Sequence, residues 1–424
     1  MKTAIVAGIR TPFARSGTVF ADLTAIELGK LAVRELVARS EIDPAEVGQL
    51  IYGTVVHDTQ APNIAREVGL ATLPKTVPAV TVSRACSSAN QAIADGVNLI
   101  GQGYADIVIA GGAESLSHVP ITVSERLSKR LVEASKAKTL GQRVAAFRGL
   151  RPKELVPVQP AIAEPTTGET MGQSAERMAK ENGISREEQD RWALRSHQLA
   201  QAGTEDGRLL AEIAPVYVGK AYETVVDRDN GIRADTNLEA LGKLKPVFDR
   251  KFGSVTAGNA SPLTDGASAV LLMSEQAVRS HGVEPLAWIK SYAFTALDPA
   301  QQLLQGPYYA APIALDRAGI TMADVQLLEM HEAFAAQVLS NLRWWESDEI
   351  AERELGRATA VGHPPEDVIN VMGGSIAIGH PFGATGGRVT MTLVNEMKRR
   401  DLELGLITVC AAGGLGFAMV VERA

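Results

Sequence analysis

Cysteine is nearly absent: Cys86 and Cys410 are the only two among 424 residues. They are too few and too distant in sequence to make a disulfide framework. No apolar run reaches the roughly 18 residues that a membrane-crossing helix needs. The opening "MKTAIVAGIRTPF" has too short an apolar stretch for a secretory leader, so a reducing cytoplasm is the expected compartment. A basic excess is also missing. Lys and Arg number 42 against 49 Asp and Glu, a net charge of −7, whereas a nucleic-acid-binding domain would be basic. Neither a metal-ligand cluster nor a dinucleotide fingerprint is visible, so no metal, no bound cofactor and no nucleic-acid partner are expected. What is present is ordinary globular composition, 46% hydrophobic and 21% charged. That length calls for two or three domains.

Strand and helix patterns alternate along the first part of the chain: "TAIVAGI", "IELGKLAVRELVARS", "VGQLIYGTVV", then "ADIVIAGGAES". This alternation predicts an α/β protein with a mostly parallel sheet covered by helices. "ARSEIDPAEVGQLIYG" (Ala38 to Gly53) matches "DRAGITMADVQLLEMH" (Asp316 to His331) at constant offset, pairing Arg39 with Arg317, Ile42 with Ile320, Val47 with Val325 and Leu50 with Leu328. "GHPFGATGGRVTMTLVNEM" followed by "LGLITVCAAGG" then repeats the loop, helix, strand and Gly-rich turn of "RACSSANQAIADGVNLI" followed by "DIVIAGGAES". Two copies of one α/β unit are therefore expected. Between them the rhythm breaks, and prolines and irregular patterns mark an insertion. The expected division is 1–117 plus 251–275 for the first half, 118–250 for the insertion and 276–424 for the second half. Within the insertion, 126–153 carries nine Lys or Arg residues and a single acid, Glu133. Such a stretch is either a solvated helical face or a surface for an anion, a partner or a membrane.

In "VSRACSSANQAIADG" an apolar β-branched run leads into Cys86, and an i, i+3, i+4 apolar pattern leads out. The thiol thus sits at a strand-to-helix elbow, with Ser87, Ser88 and Asn90 placed to cap the helix. A free cysteine can be merely a small buried hydrophobe. At a helix N-terminus, however, the thiolate is favoured, and the thiolate is the nucleophile. Three further stretches share this placement at strand ends, where α/β folds bind ligands. His331 follows a strand in "LLEMHEAF", His380 lies in the Gly-rich loop "GGSIAIGHPFGATGG", and Cys410 ends a strand in "LITVCAAGGLG". In the duplication His380 falls at the elbow corresponding to Cys86. His57, His118, His197, His281 and His363 read as structural.

These ordered motifs, with "IRTPFARSG", "MGQSAERMA" and "LKPVFDRKFGSVTAGNASPLTDGA", resemble the thiolase family over nearly the whole chain. Within the family the pattern is nearest to the β-chain subgroup of the fatty-acid β-oxidation multienzyme complex. "HEAF" stands where many members have Asn-Glu-Ala-Phe, and Cys410-Ala411-Ala412 stands where many have Cys-x-Gly. The resemblance implies a thiolase fold of two duplicated mixed-sheet βαβαβ halves in five layers, αβαβα, with an inserted loop domain. It implies thiolytic cleavage of 3-ketoacyl-CoA, with Cys86 as nucleophile, His380 as its base, Cys410 as a second acid/base and His331 as a donor to the enolate oxygen. The backbone N–H groups of Cys86 and Ala412 would hold the C3 oxyanion, and Met171, Ser261 and Phe334 would line the coenzyme A channel. Coenzyme A is then a substrate and not a bound cofactor. The family also implies a homodimer or an α2β2 assembly with a hydratase/dehydrogenase α-chain. The basic segment 126–153 would serve peripheral membrane contact, a partner or the CoA phosphates.

Three other readings stay open. An acetoacetyl-CoA-specific acetyltransferase would use the same residues. A β-ketoacyl synthase would use one cysteine and two histidines, but would have no use for Cys410. A silent subunit or acyl carrier would need none of the constellation.

Overall fold

The computed structural model describes residues 2–158 and 163–424. The first half lays down β1 (Thr3–Arg10), α1 (Ala25–Ser40), β2 (Gln49–Gly53), β3 (Ala79–Val82), α2 (Ser88–Gly101) and β4 (Ile107–Glu114). Helices α3 (Glu125–Lys136), α4 (Leu140–Ala146), α5 (Met171–Glu181) and α6 (Arg186–Glu205) follow, and then β5 (Thr264–Ser274) returns to the sheet beside β4. The second half contains β6 (Ala287–Ala296), α7 (Gly306–Ala318), β7 (Leu327–Met330), α8 (Ala335–Trp345), α9 (Thr385–Arg400), β8 (Leu404–Ala411) and β9 (Leu415–Arg423).

Strand order demonstrates the duplication. The first half runs β1-β5-β4-β2-β3, with the β1/β5 and β5/β4 pairs antiparallel and the other two parallel. The second half runs β6-β9-β8-β7 in the same senses, and Ile369 bridges Leu328 in parallel where a counterpart of β3 would lie. Leu50 and Leu328, matched by the sequence offset, occupy the equivalent strands β2 and β7, both fully buried. The sheets are mixed, not mostly parallel. β9 follows β8 across the three-residue turn Ala412–Gly414, and so short a connection can only bring a strand back antiparallel. A short antiparallel seam, Thr3 to Ile5 against Ile289 to Ala287, joins the two halves.

Helices cover both sheets and fill the space between them. α1 starts from a capping box between Thr24 and Glu27 and lays Leu28, Ala32, Val33 and Leu36 on the outer face of the first sheet. Leu28, Val33 and Leu36 each contribute roughly 1.5–3 kcal/mol by this burial. α7 covers the second sheet in the same way with Ala310, Ala311, Ala314 and Leu315. Between the sheets lie α2 and α9, and α9 is buried from Thr385 through Val394. The layers therefore run α1, first sheet, α2 with α9, second sheet, α7. The two central helices approach closely because Gly386 has no side chain; a Cβ there would fall 2.2 Å from Asn90 Oδ1. The N-termini of both central helices open at the same edge, which is where the site forms.

Candidate active site

The Cys86 elbow is built by local strain and hydroxyl bonds. Ala85 adopts φ +45°, a left-handed conformation that costs a residue with a side chain about 1–3 kcal/mol and that alanine's small Cβ tolerates. Ser88 Oγ accepts the Arg84 N–H at 2.8 Å and donates to Ala85 O at 2.6 Å, which fixes the bend. The expected side-chain capping of α2 is not what these residues do. Ser87 is the N-cap residue but makes no side-chain cap bond; its hydroxyl donates back to Arg84 O. Asn90 instead donates to Gly386 O at 3.3 Å, tying α2 to α9.

From the second half, His380 Nε2 reaches to 3.2 Å from Cys86 Sγ. Its backbone N–H donates to Thr264 Oγ1 at 3.0 Å, and its Nδ1 lies 2.6 Å from Thr385 Oγ1. The bridge at Ile369, the loop carrying His380 and helix α9 take the place of the strand, elbow and helix of Cys86, but this loop is longer and includes the helical turn Ser375–Ile378. The ring centroids of His331 and His380 lie 4.1 Å apart, and that of Phe382 lies 4.9 Å from His380. His331 leaves the end of β7 and sets Nδ1 2.9 Å from Ser375 Oγ. Cys410 is fully buried near the end of β8, and the turn beyond it passes through Gly413 and Gly414 at φ +84° and +66°.

Burial governs the charge state. It pushes the Cys86 thiol up to about 11, against the opposing pull of the Ala412 and Cys86 backbone N–H groups, with Glu114 adding to the rise. Burial, together with the positive charge of Arg388, holds His380 down to about 3. Burial first, then Cys86 nearby, raises Cys410 well above the ordinary thiol. The resting pair is a neutral thiol against a neutral imidazole, so the expected helix-stabilised thiolate is corrected. Desolvation outweighs the helix terminus here, and His380 must take the proton as attack begins.

Met171, Phe334 and Cys410 share one apolar cluster with Ala175, Met178 and Ala333, and Phe248 stands edge-on to Phe334 at 6.2 Å. Ser261 joins the same place, its N–H donating to Ala333 O at 3.0 Å beside the "HEAF" loop. Of the basic residues of 126–153, Arg126, Lys129 and Arg130 on α3 pair with Glu154, Glu125 and Glu133. Cys86 Sγ and one nitrogen each of His331 and His380 lie within 4.8 Å of one another, a set with the composition of a zinc site. The Cys86–His380 hydrogen bond already accounts for two of the three.

Sequence reasoning missed the groups that hold this set. Glu114 accepts N–H bonds from Val55, Val56 and Gly383, linking the first half to the His380 loop, and burial raises it to about 7. Glu332 accepts from Trp192 Nε1, Ser196 Oγ and Asn370 Nδ2, anchoring the loop that carries His331. The only sequence signals were a carboxylate ending a buried strand and another inside "HEAF".

Residues 3–276 match the thiolase N-terminal domain and residues 283–423 the thiolase C-terminal domain. The 3-ketoacyl-CoA thiolase of Serratia proteamaculans is 52% identical over 99% of this chain and 97% of its own length. The fold superposes on a Bacillus anthracis acetyl-CoA acetyltransferase with a TM-score of 0.85 at 33% identity, covering 100% of this chain and 99% of that one. It superposes on human mitochondrial 3-ketoacyl-CoA thiolase in complex with CoA at 0.83, also 33% identical, over 100% and 98%. With both family domains matched in order across almost the entire length, and the paired elbows meeting where those domains face each other, the chain belongs to the thiolase family.

Proposed function

We propose that this thiolase cleaves 3-ketoacyl-CoA with coenzyme A, yielding acetyl-CoA and an acyl-CoA shortened by two carbons. The observation that carries the reading is the 3.2 Å contact between Cys86 Sγ and His380 Nε2, with a second thiol, Cys410, buried beside them. The Cys86 proton passes to His380 Nε2 as Sγ bonds to C3 of the substrate. The backbone N–H groups of Cys86 and Ala412 hold the C3 oxyanion. The C2–C3 bond then breaks, its electron pair forming the enolate of acetyl-CoA. The enolate oxygen is stabilised by protonated His380 and a ring N–H of His331, and Cys410 delivers its proton to C2. In the second half-reaction the Cys410 thiolate takes the proton of incoming CoA, whose sulfur attacks the Cys86 thioester. Cys86 leaves as thiolate and recovers its proton from His380, so both thiols return to their starting state.

Coenzyme A enters and leaves as a substrate. Met171, Ser261 and Phe334, gathered around the "HEAF" loop, line its pantetheine channel. The acetyltransferase reading uses the same chemistry on acetoacetyl-CoA alone, while a β-ketoacyl synthase leaves Cys410 without a task. Turnover of 3-ketoacyl-CoAs of graded length, beside malonyl-dependent condensation, separates the three. CoA-dependent cleavage of medium and long chains supports the proposal, and activity confined to acetoacetyl-CoA or to condensation refutes it.

The subgroup pattern supports a cytoplasmic homodimer that joins a hydratase/dehydrogenase α-chain as α2β2. No helix among the described residues is long and apolar enough to cross a membrane. α3 and α4, however, expose Leu131, Val132, Leu140 and Val144 among their basic residues. That combination of apolar and cationic side chains suits an anionic lipid surface.

A further inference from the structure

The two site histidines each place Nδ1 against a hydroxyl, but the two hydroxyls are committed elsewhere in opposite ways. Thr385 has one hydroxyl hydrogen, and it goes to Pro381 O at 3.0 Å. Only lone pairs remain for His380 Nδ1 at 2.6 Å, so that nitrogen carries the ring hydrogen. His380 Nε2 is then left as an acceptor toward the Cys86 S–H. Ser375 differs. Its oxygen accepts from Arg388 Nη2 at 2.8 Å, and a guanidinium can only donate. The Ser375 hydrogen has His331 Nδ1, at 2.9 Å, as its remaining partner. Arg388 is fully buried and itself held by Glu329 at 3.3 Å. His331 Nε2, buried and without a hydrogen-bond partner among the described residues, is left to carry the ring hydrogen.

We propose that Ser375 and Arg388 are positioning residues which hold His331 in the tautomer opposite to that of His380. One imidazole is thereby a base and the other a fixed donor, although the rings are 4.1 Å apart. Were His331 to carry its hydrogen on Nδ1, the Nε2 lone pair would face the developing enolate oxygen, and attraction would become repulsion. The relay from Glu329 through Arg388 and Ser375 removes that alternative before substrate arrives. Its kinetic consequence rests on the thiolase reading; the tautomers themselves do not.

The test uses the full-length protein labelled with ¹⁵N-histidine and long-range ¹H–¹⁵N correlation, with His331→Asn and His380→Asn assigning the two rings. Expected are a protonated Nε2 for His331 and a protonated Nδ1 for His380. Ser375→Ala removes one oxygen and leaves the Arg388–Glu329 pair intact. It should mix the tautomers of His331 alone, and lower kcat for cleavage about 10-fold to 100-fold, the scale on which losing the outer partner of a metal-ligating histidine acts. KM and acylation of Cys86 by an acyl-CoA should be unchanged. A wild-type His331 protonated on Nδ1, or a Ser375→Ala enzyme with unaltered kcat, overturns the proposal. A wild type without cleavage activity but with the expected nitrogen pattern would instead refute the assigned reaction.

Discussion

Cys86 Sγ and His380 Nε2 meet at 3.2 Å from opposite halves of the duplication, both uncharged at rest. A thiol raised to about 11 is overwhelmingly protonated at neutral pH, and its thiolate fraction grows about tenfold for each unit of pH below that value. Alkylation of Cys86 by iodoacetamide should therefore climb steadily from pH 7 to pH 10. A plateau already reached near neutrality would reveal a preformed thiolate–imidazolium pair and contradict the charge state described.

The two thiols should fail differently. Cys86→Ala abolishes the acyl adduct that intact-protein mass spectrometry detects after mixing with 3-ketoacyl-CoA. Cys410→Ala retains acylation of Cys86 by an acyl-CoA but loses cleavage by roughly 10²-fold or more, the scale of a general acid/base contribution. Equal loss of both half-reactions in Cys410→Ala would assign that residue to packing alone.

His380→Ala removes base and donor together, so acylation and cleavage both collapse. His331→Asn keeps an N–H donor and measurable turnover, whereas His331→Ala should cost about 3 kcal/mol in the barrier, as loss of one oxyanion donor does. Steady-state rates of the two His331 variants decide this. Equal rates would remove the donor role.

Gly112 on β4 sits under the His380 loop so closely that an added Cβ would lie 2.0 Å from Gly383 O. Gly112→Ala must push that loop outward, at an overpacking cost of about 1–3 kcal/mol. Turnover should fall by far more than the modest shift in the denaturation midpoint suggests. A fully active Gly112→Ala enzyme would mean that the loop position is not critical.

Charge reversal at Lys129, Arg130, Lys136 and Lys138 on α3 and the turn beyond it should leave kcat on a short substrate nearly unchanged. Flotation with anionic liposomes should weaken. Retained flotation with a collapsed kcat would place this segment in the reaction site, and loss of co-purification with a second chain, liposome binding being intact, would make it a protein contact.

The rare residues were legible in the sequence because their positions were already constrained. Cys86, His331 and Cys410 sit at or just beyond strand ends and His380 in a Gly-rich loop before a helix, and only the fold was needed to bring them together. The groups that tune them were not legible. Ser375 meets His331 across 44 residues of chain, and a serine among glycines reads as loop chemistry. Nothing in the pattern singles out Glu114 or Glu332, yet both are buried and accept N–H and O–H bonds from distant segments. The antiparallel strands β6 and β9 escaped notice because "AWIKSYAFTA" alternates only partly between buried and exposed, and "LGFAMVVER" is apolar without period. The duplication was readable in helix, turn and strand but not in sheet sense, which is set by the short turn after Cys410.

The crossing between halves, after β5 and before β6, separates the nucleophile from its base, from the second histidine and from the second thiol. A chain cut there yields one part holding Cys86 and another holding His331, His380 and Cys410, so neither part contains a competent set. Any turnover from a mixture of the two is a direct signal of their reassociation. The reaction can thus serve as a built-in reporter of how well the seam between Thr3–Ile5 and Ala287–Ile289, together with the α2–α9 contact, re-forms from separate pieces.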